Sequence, residues 1–183
     1  MNPKISDFGT AKIFEEKSNE VNTGHVVGTY GYMAPEYAME GVFSVKSDVF
    51  SFGVLVLEIL SGQRNGSMYL QEHQHTLIQD AWKLWNEDRA AEFMDASYSR
   101  DEAWRCFHVG LVCVQENPEL RPTMSNVVLM LISEQAQMPA PAQPPLFARL
   151  KKVSVSDFSL AMKTETTKTQ SVNEVSISMI EPR

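Results

Sequence analysis

Cysteine is scarce, with only Cys106 and Cys113 in 183 residues. They stand seven positions apart in a stretch that reads as helix, which puts their Cα atoms about 10 Å apart. That is beyond disulfide reach, and two free thiols suit a reducing compartment. Long apolar runs are missing as well. The longest, residues 127–132, falls far short of the roughly 20 residues of a membrane span. Residues 1–20 contain no signal-peptide core. Basic charge is in the minority: 16 Lys and Arg against 23 Asp and Glu give a net charge of −7. A general nucleic-acid binder needs the opposite balance. His73 and His75 are two apart with no further ligand nearby, so no metal site is expected there. There is no internal repeat, and no Gly-x-Gly-x-x-Gly phosphate loop.

What is present is enough for a packed domain, since 43% of the residues are hydrophobic and 21% charged. The charge divides the chain. Residues 1–138 carry 10 basic and 19 acidic side chains, whereas residues 139–183 carry 6 and 4. Residues 1–36 are rich in Gly and polar residues and show no periodicity, which predicts a long irregular segment. Residues 47–61 are apolar on every face, between a capping Ser47 and a stopping Gly62. That pattern predicts a buried central helix. Thr76 can cap a second helix whose stripe is Leu77, Ile78, Ala81, Trp82 and Trp85. Ala103, Phe107, Gly110, Leu111 and Val114 mark a third. Thr123 can cap a fourth, with Met124, Val127, Val128 and Leu131 on one face. Beyond these, Pro139, Pro141, Pro144 and Pro145 break any helix, and ten Ser or Thr follow between 154 and 178. The body is therefore expected to be mainly α, followed by a disordered tail.

Two strings carry the chemistry. One is Lys4-Ile5-Ser6-Asp7-Phe8-Gly9, and the other is Gly28-Thr29-Tyr30-Gly31-Tyr32-Met33-Ala34-Pro35-Glu36. Each is weak alone. In this order, with a polar loop between them, they resemble the activation segment of a eukaryotic protein kinase. Ser47-Asp48-Val49-Phe50-Ser51-Phe52-Gly53 is similar to the start of the central helix of the kinase C-lobe. Asn117 to Met124, with Arg121-Pro122, is similar to the stretch before its last helix. The resemblance is strongest to plant receptor-like Ser/Thr kinases, and residues 171–183 resemble the C-terminus of cysteine-rich or S-domain members. It implies three regions: an activation segment at 1–36, a helical C-lobe at 37–135, and a Pro-containing then Ser/Thr-rich tail at 136–183.

The resemblance also implies roles. Asp7 would bind the magnesium that bridges the ATP phosphates, with Phe8 packing beneath a small lobe and Gly9 giving the backbone freedom to flip. Thr23 and Thr29 are the activation-loop phosphosite candidates, Ser18 and Tyr30 weaker ones. Glu36 would pair with Arg121 and fasten the segment to the lobe. Asp48 would accept backbone hydrogen bonds from a catalytic loop, besides favouring a helix start. Phe50 stands where many relatives carry Trp, and His25 where Arg is common.

Only six residues precede Asp7, so the 183 residues hold no glycine-rich loop, strand lysine or catalytic base. The resemblance thus implies the C-terminal part of a Ser/Thr kinase, inactive alone and marginally stable. ATP and magnesium would be cofactors of the parent family, and protein substrates or a partner kinase its partners. Oligomeric state stays open. The parent family works at the cytoplasmic side of the plasma membrane, and this chain, without leader or span, reads as cytoplasmic. The alternative is a non-catalytic kinase-binding or decoy fragment, or a truncation product without function.

Overall fold

The structure is a computed structural model that describes residues 4–6, 8, 9, 11, 20–29, 31–65 and 76–145. Ser18, Tyr30, His73, His75 and residues 146–183 lie outside the described residues, and so does Asp7. Among the described residues the elements run β1 (Val21–Asn22), α1 (Pro35–Glu40), β2 (Val42–Phe43), α2 (Val45–Ser61), α3 (Leu77–Asn86), α4 (Arg100–Cys113) and α5 (Met124–Ile132). Single 3₁₀ turns occupy Ala90–Glu92 and Pro118–Leu120. The body is mainly helical, as the sequence leads one to expect of a kinase C-lobe.

The irregular first segment holds β1 and the start of α1, which composition does not reveal. β1 pairs antiparallel with β2, Val21 facing Phe43. Pro35 opens α1 at a position where a missing N–H costs nothing. Gly41 closes it in the left-handed region at φ 69°. A side chain at Gly41 would also bring a Cβ to 2.2 Å from the Thr23 carbonyl oxygen. Only glycine lets α1 end here and β1 pass this close.

α2 begins three residues earlier than its sequence suggests. Ser44, not Ser47, is the N-cap: its hydroxyl accepts from the Lys46 N–H, and the Ser47 hydroxyl accepts from the Ser44 N–H. This is a reciprocal capping box with Ser at the position usually held by Glu or Gln. Gly62 ends the helix in the left-handed region. Thr76 and Thr123 cap α3 and α5 through their hydroxyls, as expected from the sequence.

The core lies between α2 and α4. Phe50, Val54 and Leu57 of α2 are buried with Phe107, Leu111 and Val114 of α4 and the loop after it. Gly53 and Gly110 let the two helices approach closely. Trp85 of α3 stacks on Trp104 of α4, ring centres 5.5 Å apart, and Phe93 packs on Phe107 at 5.1 Å. α2 is not buried all round. Leu55 is 47% exposed and Ile59 62%, one turn apart on the same side, and Val45 at the start of the helix is exposed too.

Both thiols are free. Burial pushes the Cys113 thiol up to about 12, and burial also raises Cys106. A thiol reacts as its thiolate. At neutral pH, Cys113 is therefore expected to resist iodoacetamide in the folded chain and to react at once in denaturant. Mass spectrometry of the alkylated peptides checks this, and equal labelling in both conditions would contradict the packing described.

Candidate functional site

The first anchor is the turn through residues 28–33. Gly31 has a φ of 96°, which allows the tight reversal, and the Tyr32 N–H donates to the Thr29 carbonyl at 3.2 Å. The inner side of the turn is held by α2 and the loop after it. The Ser51 hydroxyl donates to the Tyr32 carbonyl at 2.6 Å, and the Asn65 amide donates to the Gly31 carbonyl at 2.7 Å. The Tyr32 hydroxyl donates to Glu58 Oε1 at 2.7 Å, and the Asn65 N–H reaches the same oxygen at 2.5 Å. The bond to Glu58 raises the Tyr32 pKa above its ordinary value, with burial adding to it. Losing this proton would leave two anions facing each other.

The second anchor is Tyr37 of α1. Its hydroxyl accepts from the Val27 N–H and donates to the Val27 carbonyl, both at 2.9 Å. Its ring meets Phe43 edge-on at 5.9 Å. One side chain thus satisfies both backbone groups of a residue in the approach to the turn. Tyr37→Phe is expected to free Val27 and to cost about 1–2 kcal/mol. Faster hydrogen exchange at the Val27 amide, with α4 amides unchanged, would be the signature. An unchanged Val27 amide would show that the clamp does not act in solution.

The third anchor is a buried ion pair. Arg121 is 1% exposed. Its Nη1 and Nη2 donate to the two oxygens of Glu36 at 2.7 and 2.8 Å. Nε donates to the Gln115 carbonyl, Nη1 also to the Lys46 carbonyl, and Nη2 also to the Glu116 carbonyl. All five N–H donors of the guanidinium are therefore used. The Ser47 hydroxyl adds a bond of 2.9 Å to Glu36 Oε1. Lys46 Nζ donates to the Arg121 carbonyl, and the guanidinium lies 5.0 Å from the centre of the Phe50 ring. A buried charge persists only where its partners are this complete.

Between the turn and α2 opens a cavity of about 760 Å³. Phe8, Gly9, Thr23, Thr29, Ser47, Asp48 and Ser51 are among the residues that line it. The Thr23 hydroxyl is turned into its own backbone, donating to the His25 carbonyl and accepting from the His25 N–H. Thr29 is exposed. Surrounding protein raises the Asp48 pKa by desolvation, yet among the described residues no hydrogen bond reaches its carboxylate. The described lining offers one carboxylate and one imidazole, from His25, and no Lys or Arg. Those residues do not by themselves fit a nucleotide triphosphate with magnesium, whose charge needs cations and carboxylates together. Among the described residues no three His, Cys, Asp or Glu side chains converge as metal ligands.

A family model described as "Protein tyrosine and serine/threonine kinase" matches residues 1–131. The chain belongs to the protein kinase family. Its relatives are plant receptor-like kinases. It is 49% identical to cysteine-rich receptor-like protein kinase 10 of Arabidopsis thaliana, over the whole chain and 28% of that protein. It is 46% identical to the G-type lectin S-receptor-like serine/threonine-protein kinase SRK, over the whole chain and 22% of that protein. A third relative, the G-type lectin kinase B120, is 50% identical over 98% of the chain and 21% of its own length. The chain thus spans about a quarter of the receptor kinases it matches. The kinase family uses ATP and magnesium. No described helix is long and apolar enough to cross a membrane.

Of the residues singled out from sequence, the kinase fold joins Glu36 to Arg121, and gathers Phe8, Gly9, Thr23, Thr29 and Asp48 around one cavity. Sequence reasoning passed over Tyr37, Ser47 as a partner of Glu36, Glu58 and Asn65. Their contacts span 7 to 34 positions, and no local pattern announces them.

Proposed function

We propose that this chain is the substrate-facing part of a receptor-like Ser/Thr kinase, made of the activation segment and C-lobe, and that it does not transfer phosphate by itself. The observation that supports this most is the triple anchoring of residues 27–36. Tyr37, the Glu58–Asn65 pair and the Arg121 fork hold that segment against a helical base. A rigid platform of this kind places a hydroxyl substrate; it supplies no base and no cation for the reacting phosphate. In this reading Thr29 lies nearest the incoming peptide, Thr23 is the loop phosphosite and Asp7 is the magnesium ligand. The Asp48 carboxylate takes backbone donors of a catalytic loop, and the exposed pair Leu55 and Ile59 seats a further helix.

The test joins the chain to what the reading says it lacks. A chimaera placing residues 1–183 behind the preceding kinase segment of cysteine-rich receptor-like protein kinase 10 is expected to phosphorylate Ser or Thr of a generic protein substrate with ATP and magnesium. Asp7→Asn should abolish this, and the isolated chain should incorporate no phosphate. Incorporation by the isolated chain that disappears with Asp7→Asn would overturn the reading. So would a folded but inert chimaera, which would favour a non-catalytic fragment that binds other kinases.

A further inference from the structure

The stretch after α5 is not loose where the structure describes it. It falls inside the tail expected from residue 136, yet residues 136–145 lie on the body. Arg105 donates to the Met130 and Ser133 carbonyls and fixes the exit from α5. The chain then follows α4. His108 Nε2 meets the Pro139 carbonyl at 2.7 Å, and the Ala142 N–H donates to Gln115 Oε1 at 2.8 Å. A carbonyl only accepts, so Nε2 carries the proton. Gln115 is buried, and its own amide is set by a bond of 2.8 Å to the Leu111 carbonyl.

Met138 and Pro141 are half-buried and Pro144 is buried, each three positions from the next, and the positions between them are exposed; Ala136 is half-buried and Pro145 buried as well. The two hydrogen-bonded positions, 139 and 142, are also three apart. A polyproline II helix has three residues per turn and leaves its backbone groups free for outside partners. Four prolines among residues 139–145 fix φ near the value that helix needs. Met138 packs against the cluster of Val49, Val109, Val112 and Val127, so the inward row meets apolar surface. One side-chain donor and one side-chain acceptor beside an apolar floor can hold an extended Pro-rich backbone, whose own N–H and C=O groups have no internal partners.

We propose that the surface from His108 of α4 to Gln115, two residues beyond the helix, is a binding site for polyproline-type peptide, and that residues 136–145 occupy it in cis. The site does not depend on the kinase reading and lies on other elements than the activation segment.

Hydrogen exchange of the unaltered chain tests the docking directly. The Ala142 amide should exchange about tenfold or more slowly than the Ala140 amide, which stands on the exposed row. Equal rates overturn the proposal. Receptor character is tested by ejecting the strap with Pro144→Asp and Pro145→Asp in the full chain, then adding a fluorescent peptide of residues 134–145. The peptide should bind, and Gln115→Met in the same background should weaken it about fivefold or more. No binding while α2 amides remain protected, or binding indifferent to Gln115, overturns it. Should the double variant fail to fold, Ala142→Pro, which removes the N–H that donates to Gln115, takes its place with the same peptide and the same outcomes.

Discussion

Arg121→Ala is expected to lower the stability of the chain by about 3–5 kcal/mol, the usual loss when one partner of a buried ion pair is removed. The loss has three parts. The Glu36 carboxylate keeps only the Ser47 hydroxyl. The carbonyls of Gln115, Lys46 and Glu116 lose their donor, that of Gln115 in a buried position. The Phe50 ring loses the planar cation above it. Arg121→Lys should recover little, because one ammonium cannot fill a bidentate fork and three further acceptors. Urea unfolding followed by tryptophan fluorescence measures the difference. A second readout places it: amides of residues 27–36 should lose protection before those of α4. If Arg121→Ala cost under about 1 kcal/mol, the pair would be behaving as a solvent-exposed one, and the anchoring argument for the activation segment would fall with it.

The ion pair also shows how far a sequence can be read. Glu36 and Arg121 are 85 positions apart. Nothing in the spacing or periodicity of either links them; the link came from resemblance to kinases. Local chemistry was enough elsewhere. Thr76 before an apolar stripe gave α3, and Gly62 gave the end of α2, because caps and stops are set by neighbours in the chain. At the start of α2 the sequence reading named the wrong serine. Ser47-Asp48 has the look of a helix start, but Ser44 caps α2 and Ser47 instead spans the Ser44 N–H and the Glu36 carboxylate. The strap misled for a related reason. Proline rules out helix, and an extended chain without its own hydrogen bonds reads as disorder unless its partners on α4 are known. The cavity is the extreme case. Thr29 and Asp48 line one cavity because the anchors fold residues 27–36 back onto α2, and each anchor is a tertiary contact.

The same dependence on distant partners makes Gly53 the other position where a small change should have a large effect. A methyl group at Gly53 would sit 2.6 Å from the Cys113 Cβ, 2.9 Å from a Val114 methyl and 3.0 Å from the Gly110 carbonyl oxygen. Two of these three atoms cannot swing away, since one is fixed to the α4 backbone and one belongs to it. Gly53→Ala must therefore push α2 and α4 apart at the centre of the core, at a cost of about 1–3 kcal/mol or more. Gly110→Ala tests the reasoning from the other side of the interface. Its methyl would meet Leu57 Cδ2 at 2.9 Å and Cγ at 3.1 Å, and the outer part of a leucine can change rotamer. Intrinsic helix propensity favours Ala over Gly at both sites by up to about 1 kcal/mol, so only packing separates them. Thermal unfolding of the two variants should rank Gly53→Ala well below Gly110→Ala, and Leu57→Val should ease the second but not the first. A Gly53→Ala chain that melts with the unaltered one would mean that the helices part without cost. The close α2–α4 seam would then not be what holds the base of the activation segment in place.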